Sequence, residues 1–494
     1  MTGATTAGDV STRTEWPMII AGREVESVSS QTYERRNPGT GELVGTFPKG
    51  DTGDASRAVD AARAAFDEGP WPRMSGADRA AVLHRLAERL RERARDYARL
   101  ESRQVGIPFG QISWLNSYCS DVVDFYAGAA RMAFGRSLST SERGMGVTLP
   151  EPVGVAAAIT PWNFPLVLTI WKVAAALAAG CTMVVKPASQ TPITIVELAL
   201  DLLEAGLPPG VCNVITGPGS VLGEALVAHS GVDKIAFTGS TETGKNVMAD
   251  AARTLKRVSL ELGGKSPMIV LPDADPEAAS DALLECFYNS GQQCNVPSRL
   301  VVGKEVSDEV IDLVVSKAER KRLGTDDEAD LGPLVDEAQF DRVSRFVEEA
   351  RASGASILTG GERARVDGAD GAPFMPPTVV DDVRDDAPIV REEVFGPVLV
   401  VQRFAQLDEA VRLANSGDFG LAAGIFTDNL DAALLAAKQL RAGTVWVNTW
   451  NKTFPELPTG GFKASGMGRE LGLEGLEAYL EVKTVQLNPS GKAS

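Results

Sequence analysis

From residue 153 onward the chain repeats one unit: an apolar run of strand length, a turn of Gly, Pro, Asn, Ser or Thr, then a helical stretch. The runs cover residues 153–159, 181–185, 211–215, 234–237 and 258–260. Each intervening helix must carry the chain back to start the next strand in the same direction, so the pattern predicts a doubly wound parallel sheet in an α/β fold. Thr191 reads as the cap of the helix that follows it, and GLPPG at 206–210 as its stop. A second alternating series, with strands near 300–302, 398–402, 422–426 and 444–447, places a second α/β domain over about 263–465. Before the repeat, residues 1–50 read as short strands and turns, and 55–66 and 77–104 as helices.

In an open parallel sheet, ligands bind beyond the carboxyl ends of the strands. The first five strands end on TPWNFP, KPASQT, TGPGS, TGSTETG and ELGGKSP, so these turns converge on one crevice. KIAFTGSTETGKN reads as strand, glycine turn and helix start, and the unpaired N–H groups of such a start suit a phosphate. A nucleotide is the natural ligand. GSTETGKN also differs from the P-loop pattern GxxxxGK[ST] only at Asn246, which replaces the hydroxyl that holds Mg²⁺. On this motif alone, a nucleotide hydrolase, a dinucleotide enzyme and a structural turn all stay open.

Charge and composition remove other classes. The chain of 494 residues is 44% apolar and carries a formal net charge of −17, which disfavours a nucleic-acid or anionic-membrane surface. The most apolar run, residues 173–185, falls short of the ~20 residues of a membrane span and reads as buried core. No secretory or transit signal is visible at the N-terminus and no prenylation box at the C-terminus, which makes the cytoplasm the expected compartment. The five cysteines form no CxxC pair and read as free thiols. With only His84 and His229, His-rich metal sites are disfavoured and a catalytic base is expected to be a carboxylate or lysine.

Five motifs in order, TPWNFP, ELGGKSP, GQQC, EEVFGPV and PTGGFKASGMGRELG, resemble the aldehyde dehydrogenase superfamily, with matching spacing from about Trp16 to Lys483. FTGSTETG is similar to that family's cofactor turn, which sets the P-loop reading and a non-catalytic binding protein behind a dehydrogenase. The resemblance implies a Rossmann-like cofactor domain (1–130 and 151–262), an α/β catalytic domain (263–465) and a small β-flap (131–150 and 479–494) for homodimer or homotetramer formation.

It also implies roles. Cys294 matches the nucleophile, and a thiol with a pKa of ~8.5 keeps some thiolate at neutral pH. Asn163 matches the oxyanion donor and Glu261 the base that activates the hydrolytic water, while Lys172 and Glu470 match a proton-relaying pair, with a plain salt bridge as the alternative. Relatives that pass the acyl group to coenzyme A usually lack the glutamate, so its presence favours hydrolysis to an acid.

For NAD, the implied contacts are Ile159, Thr160, Pro161, Trp162, Lys186, Ser189, Gly219, Phe237, Gly239, Ser240, Thr243, Leu262, Glu393 and Phe395. Ser189 stands where NAD-preferring relatives commonly carry a glutamate that repels a 2′-phosphate, so NADP stays open. The substrate tunnel is implied to involve Tyr118, Phe164, Leu168, Trp171, Tyr288, Asn295, Trp450, Thr453 and Thr459, whose mostly apolar and aromatic character favours an uncharged, aromatic or medium aliphatic aldehyde.

Overall fold

Five parallel strands, Cys212–Val214, Thr182–Lys186, Val155–Ile159, Lys234–Thr238 and Arg257–Glu261, lie side by side in that order. They were seen in a computed structural model that describes residues 13–139 and 144–487. Antiparallel edges complete an eight-stranded sheet: Met18–Ile20 and Arg23–Val25 on one side, Gly466–Met467 on the other. The chain winds outward from Val155–Ile159 and then returns to place Lys234–Thr238 on that strand's other side. The direction of winding reverses there, and the helices part at the carboxyl ends to leave a crevice.

A second, seven-stranded sheet runs Ser356–Thr359, Thr378–Asp381, Val398–Phe404, Arg299–Gly303, Pro267–Val270, Ala422–Phe426 and Thr444–Val447, parallel except at its first strand. Pro267–Val270 lies near its middle but was hidden in the sequence, because its four residues directly follow the ELGGKS turn and begin with proline. The third sheet pairs Leu480–Leu487 with Met145–Pro152 and the latter with Ser137–Ser139, all antiparallel. It falls on the expected flap, of which residues 140–143 and 488–494 lie outside the described residues.

Two sequence expectations are corrected. The helix expected over 77–104 is two helices, Gly76–Glu92 and Ala94–Val105. The break falls at Arg93, whose guanidinium meets Glu197 at 2.5 Å and Asp201 at 2.8 Å. Thr191 does not cap helix Ile193–Glu204; its hydroxyl is buried without a partner. Gln104 takes over that task, its Oε1 accepting from the Ile193 N–H at 3.0 Å.

Helix Pro165–Ala179 positions much of the site. Proline opens it, Gly180 ends it at φ +97°, and almost every residue is buried. Its one charged residue, Lys172, lies buried inside that apolar length. No helix among the described residues is long and apolar enough to cross a membrane.

Candidate active site

A cavity of about 410 Å³ opens between the two large sheets. Cys294, Asn163 and Glu261 all line it. So do all nine expected tunnel residues: Tyr118, Phe164, Leu168, Trp171, Tyr288, Asn295, Trp450, Thr453 and Thr459. Among the lining residues that the sequence reading missed are Trp114, Trp446, Glu285, Gln293, Asn451 and Lys452. Gln293 could have been flagged as the neighbour of Cys294. The others come from separate segments, and no local pattern marks their convergence.

The loop before Cys294 is tightly constrained. Asn289, Ser290 and Gly291 all have positive φ, and a Cβ on Gly291 would lie 2.0 Å from the Gly396 carbonyl oxygen, so GQQC packs directly on EEVFGPV. Gln292 is locked from both ends: its Oε1 accepts from Val335 N–H at 2.8 Å and its Nε2 donates to the Asn289 carbonyl at 3.0 Å. Its own carbonyl accepts from Asn163 Nδ2 at 3.0 Å, while Asn289 Nδ2 donates to the Asn163 carbonyl at 3.2 Å. One N–H of the Asn163 amide is thereby used and its side chain fixed in orientation, and the second N–H remains for a ligand. On the other side of the thiol, a Cβ on Gly264 would meet the Cys294 carbonyl oxygen at 2.2 Å, which explains the glycine pair after Glu261.

Burial pushes the Cys294 thiol up to about 12, with the negative charges of Glu393 and Glu261 adding to the effect. This direction runs against the expectation of some thiolate at neutral pH, so forming the nucleophile calls for a proton acceptor or a change in its surroundings. Glu261 ends strand Arg257–Glu261 and is buried. Burial, and then the charge of Glu470, raise its carboxyl well above the usual range, against the pull of Lys172 and Arg469; its Oε1 has no partner. Such a group has a high affinity for a proton and nothing competing for its lone pair.

Behind Glu261, Lys172 Nζ pairs with Glu470 Oε1 and donates to Thr238 Oγ1 at 2.6 Å. The lysine side chain is 0% exposed and the glutamate 7%, so this is an interior pair and neither residue lines the cavity.

The expected cofactor residues gather at the strand ends. Ile159 to Trp162, Lys186 with Ser189, Phe237 with Gly239 and Ser240, and Leu262 follow or end four adjacent parallel strands, and Gly219 follows the fifth. Helix Thr241–Ala251 begins with Ser240 as its cap, the hydroxyl accepting from Thr243 N–H at 3.2 Å. Only Gly239 and Ser240 separate strand from helix, and Gly244 lies inside the helix against Leu262. A P-loop needs its whole glycine-rich stretch as an open loop around the phosphate, so the nucleotide-hydrolase reading is overturned.

These residues fit a dinucleotide on physical grounds. Lys186 is 4% exposed and lowered to about 8 by burial, and its ammonium has no hydrogen bond or ion pair among the described residues. A buried unpaired ammonium calls for a polar ligand. Ser189 Oγ instead donates to the Gly217 carbonyl at 2.8 Å. Glu393 is half-buried, raised to about 7 by desolvation, and accepts from Gly264 N–H at 2.9 Å. Phe395, at φ +58°, packs edge-on to Trp162 with ring centroids 5.4 Å apart. Two segments 233 positions apart thus meet at the crevice.

Comparison with known proteins agrees with this geometry. The profile of the aldehyde dehydrogenase family matches residues 25–485. The mitochondrial benzaldehyde dehydrogenase of Antirrhinum majus is 42% identical over 473 residues, covering 95% of this chain and 88% of that one. An NAD-dependent aldehyde dehydrogenase from Sinorhizobium meliloti superposes with a TM-score of 0.96 at 39% identity, over 100% of this chain and 99% of that one. The NAD⁺ complex of a Bacillus cereus aldehyde dehydrogenase gives 0.94 at 42% identity, over 96% and 97%. With the motifs, both sheets and full-length similarity in agreement, the chain belongs to the aldehyde dehydrogenase family.

Proposed function

We propose that this chain oxidises an uncharged, aromatic or medium aliphatic aldehyde to its carboxylic acid with NAD, through a covalent adduct on Cys294. The observation that carries the reading is the cavity in which Cys294, Asn163 and Glu261 face one apolar and aromatic enclosure. The Cys294 sulfur, once deprotonated, attacks the carbonyl carbon and forms a C–S bond. The oxyanion that develops is held by the free Asn163 N–H and the Cys294 backbone N–H. Bound NAD supplies the hydride acceptor that turns the thiohemiacetal into a thioester. Glu261 then takes a proton from water, which adds to the thioester; the C–S bond breaks, releasing the carboxylic acid and returning Cys294 as the thiolate. Lys172 and Glu470 carry that proton away from Glu261.

Gly239, Ser240 and Thr243 would hold the pyrophosphate, Lys186 the adenosine ribose, and Glu393 and Phe395 the nicotinamide ribose. Ser189 carries no charge to repel a 2′-phosphate, so NADP is accepted as a second cofactor. The first sheet (1–130 and 151–262) serves as the cofactor domain and the second (263–465) as the catalytic domain. The flap joins subunits into a homodimer or homotetramer; Leu138 at 64% and Val482 at 70% exposure are apolar surface that a second copy would cover. The cytoplasm is the assigned compartment.

Absorbance of reduced cofactor over a panel of aldehydes, with NAD⁺ and NADP⁺ in parallel and Cys294→Ala as control, tests the reading. Reduction that depends on Cys294 supports it, and silence across the panel or full turnover by Cys294→Ala refutes it.

A further inference from the structure

Gly424 lies inside strand Ala422–Phe426, paired with Met268 on one side and Trp446 on the other. Glycine weakens a strand interior, and this one does not have a positive φ, so the backbone does not call for it. A neighbouring ring does. A Cβ at this position would lie 2.5 Å from Cζ3 and 2.8 Å from Cε3 of Trp450, far inside ordinary contact.

The Trp450 indole is held across its width. Those two carbons belong to the outer edge of its six-membered ring, and from the opposite edge Nε1 donates to the carbonyl of Asn295 at 3.2 Å, one residue after Cys294. The Trp446 ring packs against it with centroids 4.9 Å apart and is itself tied through Nε1 to the Lys452 carbonyl at 3.1 Å. Trp450 borders the aldehyde cavity, whereas Gly424 lies behind the ring and does not line it. A side chain at 424 is not absorbed by sliding the ring toward Asn295, because that edge is already in hydrogen-bond contact. The open space that the ring adjoins is the cavity, so the ring would be displaced there.

We propose, building on the dehydrogenase reading, that Gly424 is a positioning residue that sets the width of the cavity beside Cys294 by seating Trp450. The width it preserves admits aldehydes that carry a ring or a branch on the carbon next to the carbonyl, as well as straight chains. A methyl group at 424 would push the indole into the place such a substrate needs, while an unbranched chain threads past it.

Cyclohexanecarbaldehyde and heptanal test this, because both have seven carbons and they differ in width next to the carbonyl. The readout is the ratio of their kcat/KM values, ring over chain, which a uniform loss of activity does not move. Gly424→Ala is expected to lower the ratio about tenfold or more, the scale on which an apolar pocket discriminates by a single methylene. Trp450→Phe removes the fused-ring edge that reaches Gly424, so it should raise the ratio. In that background Gly424→Ala should change it by less than about twofold, as the glycine acts through the indole. An unchanged ratio in Gly424→Ala, an equal fall in both backgrounds, or no rise in Trp450→Phe would overturn the proposal, and the last decides alone if Gly424→Ala does not fold. If the parent turns over neither aldehyde, the dehydrogenase reading fails separately. Calorimetric titration of the same two compounds into the parent and the variants then decides the seating role by the ratio of dissociation constants, and absence of binding overturns it.

Discussion

Asn163 Nδ2 donates to the carbonyl of Gln292 at 3.0 Å, tying the turn after the first central strand to the loop that presents Cys294. The bond fixes the amide with one N–H spent and one free. Asn289 and Gln292 hold it there from behind, so the donor is preorganised before any substrate arrives.

Replacing this side chain should remove the oxyanion donor without removing the nucleophile. Asn163→Ala is expected to lower kcat by about 10²–10³-fold, with a smaller change in KM. Steady-state kinetics check this, and thermal unfolding should show a modest loss from the broken tie to Gln292.

Burial, and then the carboxylates of Glu393 and Glu261 beside it, raise the pKa of the Cys294 thiol. Alkylation of the free enzyme by iodoacetamide should therefore keep rising, about tenfold per pH unit, well past the ~8.5 at which an unperturbed thiol levels off. Quantifying labelled Cys294 peptide against pH checks it. A plateau near 8.5 would show that burial does not control this sulfur.

The interior pair of Lys172 and Glu470 separates structure from proton transfer. Lys172→Met leaves a buried carboxylate unpaired and should cost about 3–5 kcal/mol in denaturant unfolding. Lys172→Met combined with Glu470→Leu should recover most of that stability. If the pair also moves protons, the double variant regains its fold while hydrolysis of the thioester stays slow.

Much of this was legible in the chain. Periodicity marked the five parallel strands of the first sheet to within a residue or two, because each is a buried apolar run closed by a turn. Cys294, Asn163 and Glu261 stood out through motifs in fixed order, and the cavity brings them together. What stayed hidden depends on contacts distant in sequence. Gln104 caps a helix 89 positions away, so the local pattern pointed to Thr191 instead. The Glu285 to Asn451 bond joins residues 166 apart, and the thiol's raised pKa arises first from burial and then from carboxylates on two other segments. Neither leaves a mark on its own neighbourhood.

The account turns on whether a thioester forms on Cys294 and waits for water activated by Glu261. Glu261→Gln mixed rapidly with NAD⁺ and a substrate aldehyde tests this directly, with reduced cofactor followed by absorbance and the protein by intact mass. The prediction is a burst of about one equivalent of reduced cofactor per subunit, then near silence, with the acyl mass on the Cys294 peptide. Unimpaired steady turnover, or a burst with Cys294 unmodified, would contradict it.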